Sequence, residues 1–238
     1  MNVKTKPQLF LLHFAGGNCY SFAFLKKYLE EHVEMITIEL PGRGKRMNEP
    51  LIRNKSQAIE DVFHQVKKER NPNVPYVLYG HSMGVSLGLH IAALMESNAD
   101  PARSFIASGN AGPGVHKEKI RYSLSELEFK AELKKLGGVP DELFENDELY
   151  RFFEPILRAD FEVVEKENTL EAPILNATPV CALMGIKEEN ADRIDNWKQF
   201  THASFSGHLF DGDHFFIHQH AQELSNFILK AYDRSLVL

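Results

Sequence analysis

The pentad Gly80-His81-Ser82-Met83-Gly84 carries the strongest chemical signal in the sequence. A serine flanked two positions away by glycine on each side fits a strand-to-helix turn so sharp that a Cβ at either glycine would clash. The serine hydroxyl is then left alone at the tip. Chance produces such pentads in many chains, so the flanks decide. Tyr76-Val77-Leu78-Tyr79 directly before it reads as an apolar strand, and Val85 to Met95 directly after it as a nearly all-apolar helix of the kind buried beneath a sheet. A serine in that position can attack an acyl carbonyl once a base takes its proton.

Eleven histidines could supply the base. In a strand-elbow-helix arrangement the base follows the last strand. Asp211-Gly212-Asp213-His214 stands there, so His214 is the expected partner of Ser82. His208 lies inside a predicted strand, and His218 and His220 belong to the closing helix, where a solvated or packed histidine is the ordinary outcome. His214 and His218 are four apart, a ligand-like spacing, but no Glu follows the first in the H-E-x-x-H manner, and no metal is expected. The tetrahedral oxyanion needs donors. The expected pair is the Met83 amide and the Ala15 amide of the first Gly-rich loop, His13-Phe14-Ala15-Gly16-Gly17. That loop lacks both the G-x-G-x-x-G spacing and a following Gly-Lys-Ser/Thr, so it is not read as a phosphate cradle and no cofactor is expected.

Positioning these groups takes a sheet. Gln8 to Phe14, Glu34 to Glu39, Tyr76 to Tyr79, Pro179 to Met184 and Ala203 to Phe210 read as strands. Helical periodicity lies between and after them: Phe22, Leu25 and Leu29 behind a Ser21 cap; Ile59, Val62, Phe63 and Val66; a helix near Trp197; and Ile217, Ala221, Leu224, Ile228 and Ala231 at the end. The alternation predicts an α/β fold with a mostly parallel sheet and right-handed crossovers. It breaks between His116 and Asn168, where the chain turns strongly charged. There Leu124, Leu127, Phe129, Leu133 and Leu136 mark an amphipathic helix, Gly137-Gly138-Val139-Pro140 ends it, and about Asp147 to Glu167 forms a second, with Phe152, Phe153, Ile156, Leu157 and Phe161. So much apolar surface on a polar insertion must cover the sheet edge or a substrate channel, which singles out Phe153 and Phe161 as channel side chains.

A length of 238 residues fits one domain. The net charge of -6, with 27 basic and 33 acidic residues spread along the chain, argues against nucleic acid or an anionic membrane as partner. Cys19 and Cys181 are far apart and without ligand spacing. With no signal-peptide h-region and no apolar run of bilayer length, the cytoplasm is the expected location.

His13-Phe14-Ala15-Gly16-Gly17, Leu40-Pro41-Gly42-Arg43, the Ser82 pentad, Leu136-Gly137-Gly138-Val139-Pro140, Leu157-Arg158-Ala159-Asp160-Phe161 and Asp213-His214-Phe215-Phe216, in that order, resemble the type II (editing) thioesterases of nonribosomal peptide and polyketide assembly lines, over nearly the whole chain. The resemblance implies an α/β-hydrolase core with a small helical lid at residues 116–168. It also implies hydrolysis of acyl groups from the phosphopantetheine arm of acyl or peptidyl carrier proteins. The family pattern places the triad acid, an aspartate, three residues past the glycine that closes the strand ending at Met184. Here Glu188 holds that position, with Glu189 and Asp192 close by, and the stretch from Gly185 to Trp197 is slightly short. Asp160 is a rival if the lid helix reaches over the site. A carboxylesterase or lipase acting on free esters or acyl-CoA would carry the same elbow, and a non-catalytic hydrolase-fold binding module would differ only in leaving the triad unassembled.

Overall fold

Six strands, β1 (Gln8–Leu12), β2 (Glu34–Ile38), β3 (Tyr76–His81), β4 (Phe105–Ser108), β5 (Val180–Gly185) and β6 (Phe205–Phe210), pair in parallel throughout, in the order β2-β1-β3-β4-β5-β6. The structure is a computed structural model and describes residues 5–115, 120–166 and 170–233. Every residue of β1, β3 and β4 is buried, the pattern of strands covered on both faces. Side chains alternate between two cores. Phe10 and Leu12, Tyr76 and Leu78, and Ala182 and Met184 share one with Ile59 and Val62 of a helix at Lys55–Glu69 and Val85 and Leu89 of another at Met83–Ser97. Leu9 and Leu11, Val77 and Tyr79, and Leu183 face the opposite core, with Leu29, Leu224 and Ile228. Each such side chain, fully buried, contributes about 1.5–3 kcal/mol.

In chain order the helices are α1 (Lys26–Leu29), α2 (Lys55–Glu69), α3 (Met83–Ser97), α4 (Glu126–Leu136), α5 (Asp141–Glu145), α6 (Asp147–Glu165), α7 (Phe216–Gln219) and α8 (Ala221–Lys230). Because β2 and β3 lie on opposite sides of β1, the strand order reverses there, and the loops after β1 and β3 leave from the carboxyl edge where open parallel sheets of this kind bind their ligands. Among the described residues no helix is long and apolar enough to cross a membrane.

Three elements differ from expectation. β4 was not foreseen, because only Phe105 and Ile106 are large apolar residues and the small Ala107 and Ser108 complete it. The helix expected behind Ser21 is a 3-10 turn at Ala23–Leu25 followed by the single turn of α1, and the Ser21 hydroxyl accepts the Asn18 N–H at 2.8 Å instead of capping. The chain near Trp197 is a 3-10 segment, Ala191–Phe200. The expected insertion limits, His116 and Asn168, lie outside the described residues. Between them α4 opens with a Ser125–Glu128 capping box, and α4 to α6 gather a third cluster of Phe129, Leu133, Leu143, Tyr150, Leu157 and Phe161.

Candidate active site

Ser82 joins β3 to α3 with φ 55° and ψ -112°, a left-handed backbone that costs a non-glycine residue about 1–3 kcal/mol. Neighbours hold it there. Its N–H donates to the Ser108 carbonyl at 2.8 Å, and its carbonyl accepts the Val85 N–H at 3.0 Å. A Cβ on Gly80 would lie 2.4 Å from the Gly84 carbonyl oxygen, and one on Gly84 2.2 Å from that of Leu12, so both glycines are required for the turn to close and to sit against β1. Beneath it His81 is fully buried, with Nδ1 3.0 Å from the Ser108 hydroxyl; burial holds its pKa well below the usual value.

His214 stands in the loop after β6, and its Nδ1 lies 2.7 Å from Glu188 Oε2. The other carboxylate oxygen, Oε1, accepts the Gly185 N–H at 2.8 Å. With Nδ1–H donating to the carboxylate, Nε2 is left as the acceptor that a general base needs. Gly185 explains why the two loops meet: a Cβ there would lie 2.3 Å from the Asp213 carbonyl oxygen. His214 also sits over the elbow, its ring 5.0 Å from that of His81, the residue before Ser82. Of the other acids weighed, Glu189 and Asp192 are exposed, and Asp160 is buried in α6 on Arg43. The other three histidines weighed as bases pack or hydrogen-bond elsewhere. His218 packs on Phe24 and Phe215, His208 on Phe227, and His220 Nε2–H donates to the Asp211 carbonyl at 2.7 Å.

A serine elbow and a carboxylate-held histidine on one parallel sheet agree with the comparison to known families, in which the thioesterase domain matches residues 7–232. The chain belongs to the thioesterase family. This thioesterase is 30% identical to the linear gramicidin dehydrogenase LgrE of Brevibacillus parabrevis, over 94% of its own length and 87% of the relative's. It is 29% identical to the gramicidin S biosynthesis protein GrsT of Aneurinibacillus migulanus, over 97% and 90%. The solved structure of YbtT, a type II thioesterase from the yersiniabactin NRPS/PKS biosynthetic pathway, superposes with a TM-score of 0.86 at 27% identity, covering 97% and 94% of the two chains.

In the thioesterase the loop after β1 is tied from several sides. His13 Nδ1–H donates to the Phe14 carbonyl at 2.8 Å and Nε2 accepts the Leu40 N–H at 3.3 Å; burial, helped by Arg43, lowers its pKa to about 4 and keeps it neutral. Gly16 N–H donates to Asp160 Oδ2 at 2.7 Å. Asp160 in turn takes a two-pronged ion pair from Arg43, at 2.5 and 2.8 Å, with both side chains buried. Sequence reasoning named Arg43 and Asp160 without giving them this contact. The signal was a pair of opposite charges, Arg43 and Asp160, in two blocks otherwise rich in glycine or apolar residues apart from Arg158. Among the described residues the Ala15 and Met83 N–H groups meet no acceptor, and that of Met83 opens α3, at the positive end of the helix dipole.

The thioesterase's helices α4 to α6 close over this region. Leu157 packs on Gly16 and the Gly138 backbone on the Phe215 ring, beside His214. Phe161 is 8% exposed and meets Phe129 edge to face at 5.8 Å; Phe153 is half-buried against the same cluster, which Ala15 also touches.

Proposed function

We propose that this enzyme is a type II thioesterase that hydrolyses acyl groups from the phosphopantetheine arm of acyl or peptidyl carrier proteins, in the editing of nonribosomal peptide or polyketide synthesis. The observation that carries the hydrolytic reading is the Glu188–His214 hydrogen bond beside the Ser82 elbow. The carrier-bound substrate is supported by the gramicidin S and yersiniabactin systems of its relatives.

In this reading Ser82 Oγ attacks the thioester carbonyl while His214 Nε2 takes its proton, and Glu188 stabilises the imidazolium that forms. The Met83 and Ala15 amides hold the oxyanion. The C–S bond breaks as His214 returns the proton to the leaving thiolate, and water, activated by the same nitrogen, releases the acid. Helices α4 to α6 serve as the lid, within one hydrolase domain, and Phe153 and Phe161 bound the acyl chain. Hydride transfer, which the name of one relative carries, finds no G-x-G-x-x-G after β1. A cytoplasmic setting suits the unpaired Cys19 and Cys181.

Carrier proteins loaded with acetyl, longer acyl and aminoacyl groups, followed by intact mass, test the reading. Release by the wild type, and none by Ser82→Ala at an unchanged melting temperature, is the expected result. Faster hydrolysis of free esters or acyl-CoA than of loaded carriers would transfer the assignment to an esterase.

A further inference from the structure

The loop that carries Ala15 is not self-supporting. Gly16 sits at φ +77°, and its N–H has its acceptor 144 positions away, on Asp160 of α6. Leu157, one turn earlier on that helix, comes so close that a Cβ on Gly16 would lie 2.6 Å from its Cδ2. Asp160 in turn is held by Arg43 from the turn after β2, whose Nη1 also lies 3.5 Å from the Gly17 carbonyl. Three segments distant in sequence thus meet on the peptide next to the Ala15 amide.

An ion pair this deeply buried is a poor way to stabilise a fold, because desolvation offsets the attraction and apolar residues of similar volume serve as well or better. Its geometry does something apolar residues cannot. It presents a carboxylate oxygen to one backbone N–H and fixes the plane of the peptide that carries it.

We propose that Arg43 and Asp160 are positioning residues for the oxyanion hole: by capturing the Gly16 N–H, Asp160 orients the loop so that the Ala15 N–H faces the oxyanion, and makes that alignment conditional on α6 being seated. The proposal rests on the hydrolytic reading above. It joins the lid to the chemistry, since a displaced α6 withdraws the acceptor and leaves one oxyanion donor misaligned.

Two double variants test it on acetyl-loaded carrier protein. Arg43→Met/Asp160→Leu fills the space with apolar side chains and leaves the Gly16 N–H unheld. Arg43→Gln/Asp160→Asn is uncharged but keeps an amide oxygen for it. The expected result is a fall in kcat of about 100-fold for the apolar pair, the cost of one oxyanion donor, with KM nearly unchanged and melting close to wild type. The amide pair should stay within about fivefold of wild type. The rate of Ser82 labelling by a fluorophosphonate, whose phosphoryl oxygen needs the same donors, should follow the same order. If the apolar pair does not fold, Arg43→Gln/Asp160→Met, which keeps a donor near the Pro41 carbonyl that Arg43 Nε faces at 3.4 Å, takes its place with the same reading. Wild-type kcat in the apolar pair would reduce the ion pair to packing, and equal losses in both pairs at intact melting would overturn the role of the Gly16 acceptor. An inactive wild type, or an active Ser82→Ala, would instead sink the hydrolytic reading itself.

Discussion

Glu188 is anchored through both oxygens, one on the Gly185 amide and one on His214. The longer side chain therefore does not cost the contact its definition: the backbone bond fixes one end and the histidine receives the other. Glu188→Gln keeps an oxygen for Gly185 but turns an NH2 group toward Nδ1, which favours the wrong imidazole tautomer. Turnover should fall by about 10³- to 10⁴-fold without loss of stability. Glu189→Gln and Asp192→Asn, at exposed positions, should leave the steady-state rate on a loaded carrier nearly unchanged. An equal loss in Asp192→Asn would show that the acid is misassigned. Among the histidines, His214→Ala should be inactive while His218→Ala and His220→Ala turn over.

At the scale of elements, α4 to α6 have their own cluster and meet the rest of the molecule at several points, Val163 in the main core among them. Another is Gly138, at φ +76° with a would-be Cβ 2.1 Å from the Phe215 ring. Gly138→Ala should push the α4–α5 turn off Phe215, broadening the range of acyl lengths accepted while the far-UV circular dichroism of the sheet core persists. An unaltered chain-length profile would mean that this contact does not seat the lid. Phe153 and Phe161 separate channel from packing. Phe153→Ala, at a half-buried site, should shift acyl-length preference with little change in melting. Phe161→Ala removes a ring packed on Phe129 and should also destabilise, by about 3–5 kcal/mol. Identical preferences in the two variants and the wild type would return both side chains to plain packing.

For the whole molecule, buried neutral histidines set the response to acid. His13, with its pKa lowered from 6.5 to about 4, stays neutral in the folded chain while the unfolded chain protonates. Below pH 6.5 the unfolded state binds the extra proton, so stability falls as pH drops and levels off near pH 4. The loss from His13 alone is about 3 kcal/mol. His81 and His90 are shifted the same way by burial, whereas Glu165, raised by burial, acts in the opposite direction. Urea unfolding midpoints should decline from pH 7 to pH 4.5, and His13→Gln should flatten part of that slope. A midpoint indifferent to pH over this range would contradict the buried, neutral state of His13.

What the sequence determined by itself is what neighbours in the chain decide. The Ser82 elbow is legible because its Gly-x-Ser-x-Gly pentad stands directly between an apolar strand and an apolar helix, and the continuous apolar run of β1 and the helical period of α4 and α6 are written in adjacent side chains. Position after the last strand likewise singled out His214 from the other histidines. β4, with only Phe105 and Ile106 as large apolar residues, carried too weak a signal to be read. Family spacing put Glu188 ahead of Glu189 and Asp192, but neighbouring acids differ physically only in where one turn sends them. The close passage of Gly185 and Asp213, set by how β5 and β6 pair, is what brings the Glu188 carboxylate onto His214. Arg43 and Asp160, 117 residues apart, show the same limit: each is an ordinary surface charge until α6 packs over the β1 loop and excludes water from both.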